Sequence, residues 1–362
     1  MARRRQEIFM IDRNPHRVRR FLGLFFLTLL MLGLIAFAAN FAVTRDVTLE
    51  NVYVTVADLP EDLENYSILH LSDLHGAVYG ERQSGIRTAL GNERFSLCVM
   101  TGDMLGPDGD WDALEQILEI LPDDLIKVCV PGDEDPPYLV PTAHGSVSPL
   151  AAWAEWIEKR GVTVLDAPML ITRGKNGRAR LWLIPESIYA LDLEALRRSN
   201  QAQLDNLNAI TALSPDQAAA KRVAQYQLAR VEKIRAAIRD MKPTDIQIVL
   251  THAPLTAEYA QTLRGWSERG DVFTIRQSAL VLAGHLCGGQ WRLPWLGAVH
   301  VPDYGWFPDD SLVSGIGWPG GIRQYISPGL GASGAYPWWQ SFRLFNRPIM
   351  TKIYLTARER GR

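Results

Sequence analysis

Cysteine is nearly absent from this 362-residue chain. Three residues, an odd number with no C-x-x-C pair, imply no disulfide framework. Cys98 and Cys129 sit inside apolar runs and read as buried core thiols, whereas Cys287 lies beside a histidine and glycines at the end of such a run. Excess positive charge is lacking beyond the first twenty residues. Residues 1–20 hold seven Arg against Glu7 and Asp12, a balance of +5, so a net charge of −2 leaves −7 for residues 21–362. A body with no basic footprint is not built for general nucleic-acid binding. Charge of either sign is missing from Phe21 to Val43, 23 residues that can cross hydrocarbon as a helix. No polar stripe breaks that run, which excludes an amphipathic core helix.

Arg3, Arg4, Arg5, Arg13, Arg17, Arg19 and Arg20 precede the run, and only Arg45 closely follows it. The positive-inside bias therefore makes residues 1–20 a basic cytoplasmic tail and 21–43 a single-pass anchor, with the body extracytoplasmic. A cleaved signal peptide competes, because Ala36-Phe37-Ala38 resembles a processing site. The stretch is long for a signal, which favours the uncleaved anchor, and either reading exports the body. At 47% hydrophobic, the chain can bury a large core.

Histidine is sparse too, seven in all, and its placement is not random. The run from Tyr66 ends in Asp73 and His75, which share a side at a strand's period of two. Four more β-rich apolar runs stop at metal-capable side chains: Phe95 to Asp103, Ile126 to Asp133 and Glu134, Ile246 to His252, and Ser278 to His285 and Cys287. One acid or imidazole at a strand end is ordinarily a solvated loop residue; five coordinated cases are not. Two neighbouring divalent ions need about six to nine O and N donors, one of them a bridging carboxylate. Asp73, His75, Asp103, Asp133, His252, His285 and Cys287 supply such a set.

Between these runs, helices are expected over 81–93, 111–121 and 150–160, the last capped by Gly161. Alternating strand and helix implies parallel strands with helices on the sheet faces and functional groups beyond the strands' carboxyl ends. Residues 44–65 read as a linker and edge strand. Met169 to Pro185 reads as a hairpin with an Asn176-Gly177 turn. Residues 190–241, rich in Ala, Gln, Leu and Arg, read as a two-helix insertion started by Ser214-Pro215-Asp216-Gln217. As a solvated excursion it is structural; as a lid it restricts substrate size. Trp291, Trp295, Trp306, Trp318, Trp338 and Trp339, six of eleven tryptophans, fall in the Gly- and Pro-rich C-terminal part. They pack irregular loops, line a cleft or touch a membrane interface.

Together, Asp73-x-His75, Gly102-Asp103, Gly132-Asp133-Glu134, Thr251-His252 and Gly284-His285-x-Cys287 resemble the calcineurin-like metallophosphoesterase pattern D-x-H, G-D, G-N-H-[DE], H and G-H-x-H. The frame from Gly284 to Pro294 is similar to that of the family's membrane-associated bacterial branch, as are Tyr325 to Gly331 and Asn346 to Pro348. The resemblance implies an α/β fold, a four-layer αββα sandwich over residues 66–356, preceded here by one transmembrane helix. It further implies two divalent ions (Mn, Fe or Zn), with Asp73, His75 and Cys287 on one, Asp133, His252 and His285 on the other, and Asp103 bridging. The implied reaction is hydrolysis of a phosphomonoester or phosphodiester by a dinuclear-metal hydroxide, with Glu134 and His285 as catalytic candidates.

Three residues depart from the pattern. Cys287 stands where the family has His and favours zinc or iron over manganese. Asp133 replaces Asn. Glu134 replaces the His that acts on the leaving group, and a glutamate opposes phosphate unless it is protonated. Asp73, Asp103, Asp133 and a Cys287 thiolate bring four negative charges to two dications, so the pull on an anionic substrate weakens. Two alternatives follow: a metal-binding pseudoenzyme of the cell envelope, and a lipid-pyrophosphate hydrolase suggested by the anchor and the Trp-rich loops.

Overall fold

The computed structural model describes residues 15–140, 148–172, 179–263 and 270–358. The basic segment before Pro15 and the Asn176-Gly177 turn lie outside the described residues. The chain divides into two compact units, Met1–Val43 and Thr44–Arg362. Helix α1 (Pro15–Arg45) supplies the structure of the first. Its stretch Arg19–Arg45 is long and apolar enough to cross a membrane. Phe21, Leu24, Phe26, Leu30, Ile35 and Phe37 are exposed around its circumference, as an uninterrupted apolar run dictates.

Two six-stranded sheets build the second unit. The first has the order β1 (Thr48–Thr55), β16 (Ile349–Thr356), β2 (Ser67–Leu71), β3 (Leu97–Thr101), β4 (Lys127–Val130), β5 (Val162–Val164). Strands β2 to β5 run parallel; β16 is antiparallel to β2 and parallel to β1. The second has the order β14 (Gly315–Gly317), β15 (Gln324–Ile326), β9 (Leu280–Ala283), β8 (Ile246–Leu250), β7 (Leu181–Pro185), β6 (Met169–Thr172). Its four inner strands are parallel and its two edges antiparallel. Two short ribbons, β10 (Arg292–Leu293) with β11 (Gly297–Ala298) and β12 (His300–Val301) with β13 (Gly305–Trp306), follow Cys287.

The period-two alternation of side chains sorts the layers. Leu69, Leu71, Met100 and Cys129 face outward onto α2 (Ser84–Leu90), α3 (Asp112–Leu118) and α4 (Ala152–Lys159), meeting Ile86, Leu114, Ile117, Trp153 and Ile157. Ile68, Val99, Val128 and Ile353 face inward and meet Leu183, Ile248, Leu250 and Leu282 of the second sheet. Trp182, Ile184, Val249 and Val281 cover that sheet's far face with Ile234 and Ala237 of α6 (Pro215–Asp240) and Ala260 of α7 (Ala257–Thr262). The layers are helix, sheet, sheet, helix, the αββα arrangement the motifs implied. Strands buried on both faces explain why the sequence shows continuous apolar runs rather than alternation.

Helix limits differ from the periodicity. The helix expected from 81 opens with a 3-10 turn, Glu81–Gln83, in which Arg82 and Gln83 take positive φ. The buried Gln83 amide accepts from the Tyr79 N–H (2.9 Å) and donates to the Ala77 carbonyl (2.8 Å), fixing that turn. Gly161 ends α4 as expected, with φ of 76° and its N–H donating to the Glu158 carbonyl. Residues 190–241 contain α5 (Leu193–Asn208) antiparallel to α6, tied by Arg235 Nη2 to Glu194 Oε2 at 2.7 Å. Ser214 and Gln217 form the expected capping box. α6 is no mere excursion, however: Ile234 and Ala237 belong to the outer layer, and the Tyr226 hydroxyl donates to Asp166 at 2.6 Å.

Candidate metal centre

The strands β2, β3, β4, β8 and β9 deliver their following residues to one place. Backbone bonds lace the loops together: Asp73 N–H to the Gly102 carbonyl, His75 N–H to the Asp103 carbonyl, and Gly284 N–H to the His252 carbonyl. Asp73, His75, Asp103, His285 and Cys287 all take positive φ, between 46° and 76°. Non-glycine residues avoid that region, so its use at five candidate ligands marks a backbone bent to aim side chains. The motif glycines make room. A Cβ at Gly102 would meet the Gly132 Cα at 2.6 Å, and one at Gly284 would meet Asp73 Oδ2 at 2.8 Å.

Ligand-capable atoms of Asp103, Asp133, His252 and His285 lie within 4.8 Å of one another, as do those of Asp73, His75 and Cys287. A third overlapping set joins His75, Asp103 and Glu134. Asp103 Oδ2 stands 3.1 Å from His252 Nε2 and 3.7 Å from His75 Nε2, so one carboxylate oxygen links the two main sets. Cys287 Sγ is 3.5 Å from His75 Nε2. His252 Nδ1 donates to the Thr101 carbonyl at 2.8 Å, which can only accept, leaving Nε2 turned to Asp133 (2.6 Å) and Asp103. His285 Nδ1 lies 3.1 Å from Asp133 Oδ1, and its backbone N–H donates to Asp73 Oδ1 at 2.8 Å.

Electrostatics agree with a cation-binding set. Asp73 and Asp103 are buried, and among the described residues neither pairs with Lys or Arg. Buried carboxylates need a compensating positive charge. Without a metal the imidazoles serve: burial pushes His252 down, but hydrogen bonds to Asp103 and Asp133 and the charge of Asp73 outweigh it and raise it to about 11. Hydrogen bonds from His252 and His285 hold Asp133 far below the usual carboxylate range. Burial and then the Asp73 charge keep Cys287 a thiol, so a thiolate there requires a cation. Carboxylate, imidazole and thiol donors around one bridging carboxylate fit a pair of divalent ions.

The site opens on one side. Asp73, Asp103, His252 and Cys287 form its buried floor, while Asp133, Glu134, His285 and Asp303 reach solvent. The Ser333 hydroxyl donates to Glu134 Oε1, and Glu134 Oε2 lies 3.7 Å from His75 Nδ1. All seven predicted ligands and Glu134 therefore meet. Asp135, Asp303 and Ser333 were not predicted. Asp135 takes N–H bonds from Gly132 (2.9 Å), Asp103 (2.8 Å) and Leu105 (3.1 Å), shaping two ligand loops. It is the residue after Glu134, matching the last acid of the family pattern, and could have been read there. Asp303, 3.7 Å from His285 Nε2, sits in the β12–β13 turn, which carries no periodic signal. A cavity of about 1300 Å³ beside β1 and β14 is lined by none of these residues.

The family model of calcineurin-like phosphoesterases matches residues 66–289, more than half of the chain. The chain belongs to the calcineurin-like phosphoesterase family. Among solved structures it is similar to a phosphopantetheinyl hydrolase from Mycobacterium tuberculosis, with 14% identity over 74% of this chain and 91% of that chain, and a TM-score of 0.34. No curated protein matches.

Proposed function

We propose that the chain is a metal-dependent phosphoesterase, anchored by α1 with its body on the extracytoplasmic side, that hydrolyses a phosphomonoester or phosphodiester. The observation that carries this reading is the position of Asp103 Oδ2 between His252 and His75. Asp73, His75 and Cys287 would hold one ion, Asp133, His252 and His285 the second, and Asp103 both. When bound, the ions would supply a water-derived nucleophile at neutral pH and offset charge developing on the phosphoryl oxygens. Thr101 and Asp135 orient His252 and the loop of Asp103. Glu134 and His285, on the open side, are the groups we assign to proton movement at the leaving oxygen.

The test is turnover by the purified full chain with Mn, Zn or Fe on generic phosphomonoester and phosphodiester substrates. Asp103→Asn is expected to lower turnover by more than about 100-fold. One observation favours a second reading. Asp133, Glu134 and Asp303 make the mouth acidic, and no Lys or Arg pairs with them among the described residues. Tight metal binding without turnover on either substrate class would establish the pseudoenzyme instead.

A further inference from the structure

The C-terminal loops carry an aromatic cluster that the metal centre does not use. Trp306 stacks on Trp339 with centroids 6.3 Å apart, Trp339 meets Trp291 at 5.3 Å, and Trp291 meets Phe342 at 5.3 Å. Phe307 lies 6.4 Å from Trp306. These rings are only partly covered: Trp306 is 63% exposed, Phe307 56% and Phe342 47%, and the neighbouring Trp338 is 88% exposed. In the β10–β11 turn, Trp295 is fully exposed and Leu296 63% exposed. Soluble bodies rarely leave so much large apolar surface uncovered unless something else covers it.

The cluster is continuous with the mouth of the site. The β12–β13 ribbon that carries Trp306 also carries Asp303 to His285. The Tyr336 hydroxyl donates to the Leu286 carbonyl at 2.8 Å, and the Gln340 amide donates to the His300 carbonyl at 2.7 Å. The chain also enters the body at this end. β2 ends next to Asp73, and β16 pairs antiparallel with it through Thr351 and His70, so β16 begins at the ligand-bearing end. β1 runs parallel to β16 with Thr48 opposite Ile349, so β1 begins there too. Only Asp46 and Val47 separate α1 from β1. The three Cα steps from Arg45 to Thr48 reach no more than about 11 Å.

We propose that Trp295, Leu296, Trp306, Phe307 and Trp338 form a lipid-docking surface. It settles at the headgroup boundary of the bilayer that holds α1 and keeps the mouth of the site at the membrane face. Tryptophan suits that boundary because it joins an apolar body to a polar N–H. The charges nearby favour lipid over an acidic partner. Residues 288–347 hold four Arg and three Asp; Arg292 pairs with Asp310, Arg347 pairs with Asp46, and Arg343 is buried. With no basic patch, attraction comes from ring burial and is insensitive to salt. The proposal rests on α1 being a membrane anchor.

All eleven tryptophans lie outside α1, so their emission reads the body alone. The full chain is placed in phosphatidylcholine nanodiscs with and without brominated acyl chains. Bromolipid is expected to quench roughly a quarter of the emission, the share of Trp295, Trp306 and Trp338, at low and high salt alike. Leu296→Asp with Phe307→Asp keeps every tryptophan and is expected to remove most of that quenching, with unchanged far-ultraviolet circular dichroism and metal content. Incorporation without quenching overturns the docking alone, as does quenching that survives the double substitution. Crosslinking between two bodies in place of quenching points to a second copy and also overturns it. A chain that fails to incorporate overturns the anchor reading and the docking together. Phosphoester turnover enters none of these readouts.

Discussion

At the scale of single residues, a buried polar chain runs from the core to the candidate metal centre. His70 Nε2 lies 2.8 Å from Thr101 Oγ1, Thr101 donates to Ser72 Oγ (3.0 Å), and Ser72 donates to Asp73 Oδ2 (2.6 Å). Because both hydroxyl protons point toward Asp73, Thr101 must accept from His70, so Nε2 carries the proton. Nδ1 is left without a partner among the described residues. Burial lowers His70 from 6.5 to about 3. The unfolded chain therefore takes up a proton below pH 6.5 that the native chain refuses until about pH 3. Stability from this group is complete above pH 6.5 and declines as pH falls toward 3, with a limiting slope of about 1.4 kcal/mol per pH unit. Urea midpoints at pH 7 and pH 5 are expected to differ less in His70→Gln than in the parent. Equal differences in the two proteins would show that His70 does not titrate this way.

At the scale of elements, legibility in the sequence followed burial. β2, β3, β4, β8 and β9 were readable because both of their faces are covered, which forces short continuous apolar runs that stop at the candidate ligands. The 3-10 turn before α2 was not, since it depends on Gln83 bonding backbone groups rather than on apolar spacing. The ribbon that brings Asp303 to His285 has two-residue strands, too short for any period to register. The outer-layer role of α6 was hidden by its Ala-, Gln- and Arg-rich composition, because a stripe through Val231, Ile234 and Ala237 is enough to bury it. Its start, by contrast, was written locally in the capping box of Ser214 and Gln217. Ser214→Ala is expected to cost about 1 kcal/mol in chemical denaturation while leaving the metal content intact. A loss of bound metal in that variant would tie α6 to the centre, which its packing does not suggest.

For the whole body, the candidate metal centre is where two sheets meet. Asp73, His75, Asp103 and Asp133 follow strands of the first sheet, and His252, His285 and Cys287 follow strands of the second. A cation shared among them would join the two halves of the sandwich beyond their apolar interface. Without it, Asp73, Asp103 and Asp133 converge with only imidazolium charge to offset them, and burial raises Asp73 despite its His252 and His75 neighbours. Metal removal is therefore expected to destabilise the body as well as silence the site. Binding that favours the native state adds about 2.7 kcal/mol per site when free metal exceeds its Kd a hundredfold. Thermal unfolding of the full chain should move down with chelator and return with Zn or Mn. In Asp103→Asn the increment between the two conditions should shrink, because its carboxylate lies close to His252 of one candidate donor set and His75 of the other. In Ser214→Ala both midpoints should fall together with the increment preserved, since that change lies away from the ligands. A midpoint indifferent to chelator, in a protein verified to have carried metal beforehand, would mean that the sheets hold together by their apolar faces alone and that the ions bind without bracing them.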